Sequence, residues 1–179
     1  MKPSVSAIVC LFAVLAAATT IAFGQKVGQA TQPPCCRNWI GDRTCSKMRL
    51  TNFIQFNSSC YNDPDFAFNQ CCATCNSVYM TDLGYNFTGV AQSLLINNTG
   101  NCFDRMSTSW CQKLLLKTGV WTKGLFTCDS SNLAFRVCRL TCGYCSTTGD
   151  TYIASLYLDA SAANAACSDN ANTKAVIGR

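Results

Sequence analysis

The 179-residue chain contains no histidine. That removes every mechanism needing an imidazole base, the Ser-His-Asp and Cys-His arrangements among them, and every zinc site with a His ligand. A zinc protease of the HExxH kind is excluded on the same ground, and no Gly-rich phosphate loop is present. Charged residues are sparse, at 13%, and no run of Lys or Arg makes a patch for nucleic acid or heparin. Beyond residue 24 no stretch is long and apolar enough to span a membrane. These absences predict a protein that is not an enzyme and holds no cofactor or metal. All-cysteine zinc stays formally open, but only in a reducing compartment.

Cysteine, by contrast, is abundant: 15 in 179 residues, about 8%, which in a short chain points to a disulfide scaffold. The N-terminus names the compartment. Lys2 supplies a positive start, Val5 to Ala18 is apolar and uncharged, and Ala22 and Gly24 are the small residues preceding Gln25. This pattern predicts a secretory signal peptide over 1–24, cleaved after Gly24. The apolar run is too short, and too softened by Thr19 and Thr20, for a membrane anchor. Cleavage removes Cys10 and Lys2, leaving 14 cysteines, an even number, and 13 basic against 9 acidic residues, a formal +4. Three sequons, at Asn57, Asn86 and Asn97, are candidate glycan acceptors, of which two are expected to be used.

The chain then divides. Residues 25–34 are polar, with Gly and a Pro pair, and read as a flexible start. A first module covers 35–78, a glycosylated linker 79–101, a second module 102–145, and a tail 146–179. Within the linker the apolar patch Val90 to Ile96 predicts one short helix. In the tail, Tyr152, Ile153, Leu156, Tyr157 and Ala160 have partial helical spacing, and the end beyond Ala160 is expected to be mobile except at Cys167.

The organising stretch is Cys138-Arg-Leu-Thr-Cys142-Gly-Tyr-Cys145, whose cysteines at i, i+4 and i+7 would share one side of a helix. An earlier copy runs Ala67-Phe-Asn-Gln-Cys71-Cys-Ala-Thr-Cys75, against Ala134-Phe-Arg-Val-Cys138-Arg-Leu-Thr-Cys142. Cys36 and Cys45 are separated by eight residues, as are Cys102 and Cys111, and Cys60 stands opposite Cys128. Agreement of cysteines, an aromatic and a threonine indicates tandem duplication. The copies differ where Val78 replaces the counterpart of Cys145 and where Cys35 and Cys72 are added. Seven cysteines in the first module, six in the second and Cys167 in the tail predict that Cys35 or Cys36 pairs with Cys167, with Cys72 replacing the missing last cysteine.

Modules of this size rarely stand on a core alone, and closing such loops contributes about 3–4 kcal/mol per bridge. Two small cores are expected, one from Trp39, Phe53, Phe56 and Phe68, the other from Trp110, Leu114, Leu115, Trp121 and Phe135.

Cys102-Phe-Asp104, Cys111, Cys128 and Cys138-Arg-Leu-Thr-Cys142-Gly-Tyr-Cys145 resemble the ShKT domain, the six-cysteine module called SXC in nematodes. Residues 102–145 carry its aspartate, threonine and glycine beside the cysteines. Residues 36–78 resemble a divergent member without the early aspartate, the glycine or the last cysteine. The fold class expected is therefore small and disulfide-rich: two tandem ShKT-like modules of short helices with a flexible linker and tail. The resemblance implies Cys102–Cys145, Cys111–Cys138 and Cys128–Cys142 in the second module, and Cys45–Cys71 and Cys60–Cys75 in the first. It also gives Asp104 a fold role, pairing with Arg139 or capping the first turn.

What this implies is a secreted, monomeric binding or extracellular-matrix protein whose partner is an unidentified extracellular protein or matrix component. A channel modulator of the sea-anemone toxin type is disfavoured. Those toxins use a lysine and tyrosine between the third and fourth cysteines, whereas here that interval, 129–137, has only Arg136 as a cation. A protease inhibitor presenting the 112–127 segment, with Lys113, Lys117 and Lys123, is the remaining alternative.

Overall fold

The computed structural model describes residues 28, 30–122, 126–128, 132–149, 151–158 and 160–169; the expected signal segment lies outside them. Among these residues the chain is helical in short pieces, and its one ladder contact is an isolated bridge between Asp104 and Cys138. The α-helices are α1 (Asp42–Thr51), α2 (Phe53–Asn62), α3 (Cys72–Cys75), α4 (Val78–Asp82), α5 (Phe87–Ala91), α6 (Thr108–Leu115), α7 (Asn132–Val137), α8 (Thr151–Leu156) and α9 (Ala160–Asp169). π-Helical turns occupy Phe66–Gln70 and Gln92–Ile96. None of the α-helices is long enough to stand alone in water. Side-chain caps help start three of them: Asn52 accepts from the Gln55 N–H at 3.1 Å, Asn86 from Gly89 at 3.0 Å and Ser107 from Trp110 at 3.4 Å.

Seven disulfides hold these pieces: Cys35–Cys167, Cys36–Cys72, Cys45–Cys71, Cys60–Cys75, Cys102–Cys145, Cys111–Cys138 and Cys128–Cys142. Of the two candidates for the tail cysteine, Cys35 takes it and Cys36 is joined to Cys72. The cysteine stripe of the second half is not one helix. α7 stops at Val137, the Cys142 N–H still bonds the Cys138 carbonyl at 2.8 Å, and Gly143 then turns the chain at φ 74°. Only glycine reaches that backbone region without steric cost, so Cys145 is delivered by a turn rather than a helical face.

Asp104 has a partner that the sequence reading did not assign. It accepts from the Thr141 N–H at 3.0 Å and from the Thr141 hydroxyl at 2.5 Å, which ties the start of the second half to its end. The first half makes the same contact with an amide. Asn38 accepts from the Thr74 N–H at 3.0 Å and donates to the Thr74 hydroxyl at 2.9 Å. Cys36-Arg-Asn38 stands where Cys102-Phe-Asp104 stands, and an amide reverses the direction of the hydroxyl bond without losing it.

Arg139 instead reaches across to the first half. Its guanidinium meets the Asp65 carboxylate at 2.5 Å, donates to the Asn101 carbonyl at 2.9 Å and lies 4.4 Å from the centre of the Phe135 ring. Arg105 binds the other oxygen of Asp65. Burial lowers the Arg139 pKa, and the Asp65 carboxylate opposes that shift. The opposite crossing is made by Asn132, the positional counterpart of Asp65. It accepts from the Cys35 N–H at 3.0 Å, donates to the Cys35 carbonyl at 2.8 Å and donates to Asn69 at 3.2 Å. Each half therefore places a buried polar side chain in the other.

The hydrophobic core is likewise one body, not two. The Phe68 ring meets Phe87 at 5.2 Å, Tyr157 at 5.5 Å and Phe135 at 6.2 Å between centroids, so both halves, the 79–101 segment and the tail converge on it. The segment expected to be a linker buries Tyr85, Phe87, Val90, Ala91, Leu94, Leu95 and Ile96, and is core. The tail is not loose over its described part: Ile153, Leu156, Tyr157, Ala163 and Ala166 are buried, and the Tyr157 hydroxyl donates to the Tyr144 carbonyl at 2.9 Å. Nor is the start flexible where it is described. Ala30, Pro33 and Pro34 are buried, and the Tyr152 hydroxyl donates to the Ala30 carbonyl at 2.9 Å. Of the expected core, Phe56, Phe68, Leu114 and Phe135 are buried, whereas Trp39 and Phe53 are exposed and Trp110 and Trp121 are half-buried against each other.

Two expected outcomes follow from these contacts, both measured by guanidinium unfolding with the disulfides intact. Asp65→Ala strands the buried Arg139 charge and costs about 3–5 kcal/mol, while Arg105→Ala, with a half-exposed side chain, costs at most about 1 kcal/mol. Asp104→Ala leaves the Thr141 donors unpaired and costs about 1–3 kcal/mol, whereas Asp104→Asn, which copies Asn38, costs under about 1 kcal/mol.

Candidate functional site

α1 and α2 are separated by Asn52 alone, and Tyr79 of α4 touches a side chain of each. α1 buries Cys45 through its disulfide to Cys71, so the residues on its far side have nothing to pack on. The Arg49 guanidinium lies 4.6 Å from the centre of the Tyr79 ring, and Tyr79 meets Phe53 edge-to-face at 6.0 Å. The same three helices carry the most exposed aliphatic side chains of this half: Ile54 at 83%, Val78 at 76% and Leu50 at 75%. Single exposed apolar residues are ordinary on a protein surface. Here three of them adjoin in sequence the residues of one ring contact, Arg49, Phe53 and Tyr79.

A groove of about 500 Å³ lies between residues 31–33 and helices α8 and α9. Thr31, Gln32, Pro33, Tyr152, Ser155 and Leu156 line it, without a charged group. The Tyr152 hydroxyl is committed to Ala30 and the Ser155 hydroxyl to the Tyr152 carbonyl at 2.7 Å. The groove thus lacks the convergent polar groups that orient a small ligand.

No protein family, curated protein or solved structure matches the chain. The site is accordingly read from its own chemistry. Among the described residues no group of three or more His, Cys, Asp or Glu is arranged to hold a metal ion.

The residues singled out from sequence fall into three sets. The fourteen cysteines from Cys35 onward are all in bridges, so none offers a thiolate. Among the sequons, Asn57 is half-buried on α2, Asn86 is exposed as the cap of α5, and Asn97 is exposed after the second π-turn. In the 112–127 segment Lys117 stands at φ 54°, closing α6 with its N–H on the Leu114 carbonyl at 3.2 Å and the Thr118 N–H on Lys113 at 2.9 Å. That is a helix-ending geometry usually given to glycine; Lys123 lies outside the described residues.

The α1–α2–α4 face was missed from sequence because Trp39 and Phe53 were assigned to the core. A signal was present. Leu50 stands opposite Cys45 on α1, and a cysteine that takes the inward side of a short helix leaves its other apolar residues outward.

Asn86 caps α5 through its Oδ1, while a glycan would attach at Nδ2, so the two roles are compatible. In unglycosylated protein Asn86→Asp, which still caps, is expected to leave thermal stability within about 0.5 kcal/mol, and Asn86→Ala to cost about 1 kcal/mol; on secreted protein, peptide mapping is expected to find glycan on Asn86 and Asn97.

Proposed function

We infer that this is a secreted, non-enzymatic binding protein of the extracellular space, built on two tandem ShKT-like modules and engaging an extracellular protein or matrix component. The observation that carries the reading is the exposed apolar side chains Leu50, Phe53, Ile54, Val78 and Tyr79, with the half-buried Arg49 against the Tyr79 ring, on a scaffold closed by seven disulfides. A scaffold of this kind needs an oxidising compartment to persist. The predicted signal peptide and the sequons at Asn57, Asn86 and Asn97 agree with that compartment. Support for the tandem reading comes from the matched bridges Cys45–Cys71 with Cys111–Cys138 and Cys60–Cys75 with Cys128–Cys142. The shared contact of Asn38 with Thr74 and of Asp104 with Thr141 adds to it.

Rigid presentation explains why such a surface can bind well. Side chains on cross-linked helices lose little further freedom on association, and aromatic and Arg anchors carry most of the energy of an interface. Chemical crosslinking and pull-down with the secreted, glycosylated chain against an extracellular-matrix extract is expected to recover a partner. Recovery should fall about tenfold or more with Leu50→Asp plus Ile54→Asp. Equal recovery by native and substituted protein would sink the assignment of this face.

A further inference from the structure

The tail is fastened in two different ways. Up to Leu158 the core holds it. Tyr157 stands in the ring cluster with Phe68 and Phe87, its hydroxyl donates to the Tyr144 carbonyl at 2.9 Å, and the Leu158 carbonyl accepts from the Thr88 hydroxyl at 2.9 Å. α9 is different. It contains no aromatic and no branched aliphatic residue, and among its described side chains those buried are Ala163, Ala166 and Cys167. Groups of that size supply little apolar burial, and a helix of 10 residues does not stand by itself in water. The Cys35–Cys167 bridge joins α9 to residues 35–37, flanked by the Cys36 N–H on the Ala163 carbonyl at 3.0 Å and by Arg37, which donates to the Cys167 carbonyl at 3.4 Å.

That bridge stands apart from the other six. They join cysteines 14 to 43 residues apart within one half, whereas Cys35 and Cys167 are 132 apart. Cys167 also meets more solvent than any other bridged cysteine, 8% against 5% or less. A segment with little buried apolar surface opens at lower free energy than the core, so opening of α9 bares this sulfur before another bridge is reached. Cys35, at 1%, stays behind. Asn132 holds its N–H at 3.0 Å and its carbonyl at 2.8 Å, and the neighbouring Cys36–Cys72 bridge fixes the chain beside it. A Cys35 thiol released from its partner therefore keeps its place.

We propose that Cys35–Cys167 is a thiol-operated strap, opened by attack of an external small-molecule thiolate on the Cys167 sulfur. The sulfur–sulfur bond breaks and a new one forms between Cys167 and the incoming thiol. The electron pair leaves on Cys35, which takes a proton from water. No further oxidant or reductant is consumed. The Arg37 guanidinium, on the Cys167 carbonyl, favours the approaching anion. α9 then parts from residues 35–37, which removes Ala162 and Ala165 from the wall of the groove beside Thr31 and Pro33 and gives the Cys36 N–H to water. The return step uses the thiol left in place. Cys35 attacks the mixed disulfide, expels the small thiol and recloses the strap, while the other six bridges stay intact throughout.

The test incubates the full secreted chain with reduced glutathione, alkylates free thiols with iodoacetamide and maps the peptides. Glutathione is expected on Cys167 and the alkyl group on Cys35, at doses that leave the other six bridges closed. Hydrogen exchange over 160–169 is expected to quicken about tenfold or more, with none over 102–145. Removing glutathione before alkylation is expected to restore the native map. Cys35→Ser combined with Cys167→Ser is expected to be secreted with its remaining bridges native and to show the fast exchange without glutathione. Opening of another bridge first, an adduct on Cys35 in place of Cys167, or a map that glutathione leaves unchanged would overturn the inference. So would slow exchange over 160–169 in the double variant, because α9 would then hold without its bridge. Failure of that variant to be secreted counts against it equally, since the two halves would then depend on the strap.

Discussion

A half of some forty-odd residues cannot bury enough apolar surface to fold by its core alone, and every other feature of this molecule answers that shortage. One answer is covalent: seven disulfides close loops in the unfolded chain and so reduce the entropy that folding must overcome. The other is to share. Phe68 and Phe135 belong to opposite halves yet touch, and the 79–101 segment and the tail add Phe87 and Tyr157 to the same cluster. The halves are thus not beads on a string but two parts of one core.

Sharing a core obliges the polar groups at the seam to be satisfied, and the molecule does this reciprocally. Asp65 is held by Arg139 and Arg105 from the second half, and Asn132 by the Cys35 backbone and Asn69 from the first. Buried ionic and amide groups of this sort contribute less to stability than to fixing one arrangement, because every alternative packing strands a charge or an unpaired amide. They set how the two halves meet in a way that apolar contacts alone would not.

The same economy leaves apolar residues outside. Where Cys45 takes the inward side of α1, Leu50 is not required for the core and stays in solvent. Cross-linking makes that side of α1 rigid without a large protein behind it. No free thiol remains among the described cysteines, because each is spent on a bridge.

Local sequence determined the compositional class, because cysteine count and spacing are properties of the chain taken a few residues at a time. It also placed short helices near Ala91 and Tyr152. Three things were decided only in three dimensions. The linker and tail became core because Phe68 needed partners that neither half could supply. Asn38 proved to match Asp104 because an amide and a carboxylate can both satisfy one threonine, an equivalence of hydrogen bonding rather than of residue type. The exposed face emerged because a helix's outward residues are known only when its inward ones are, and those were chosen by disulfides and by packing between segments far apart in the chain.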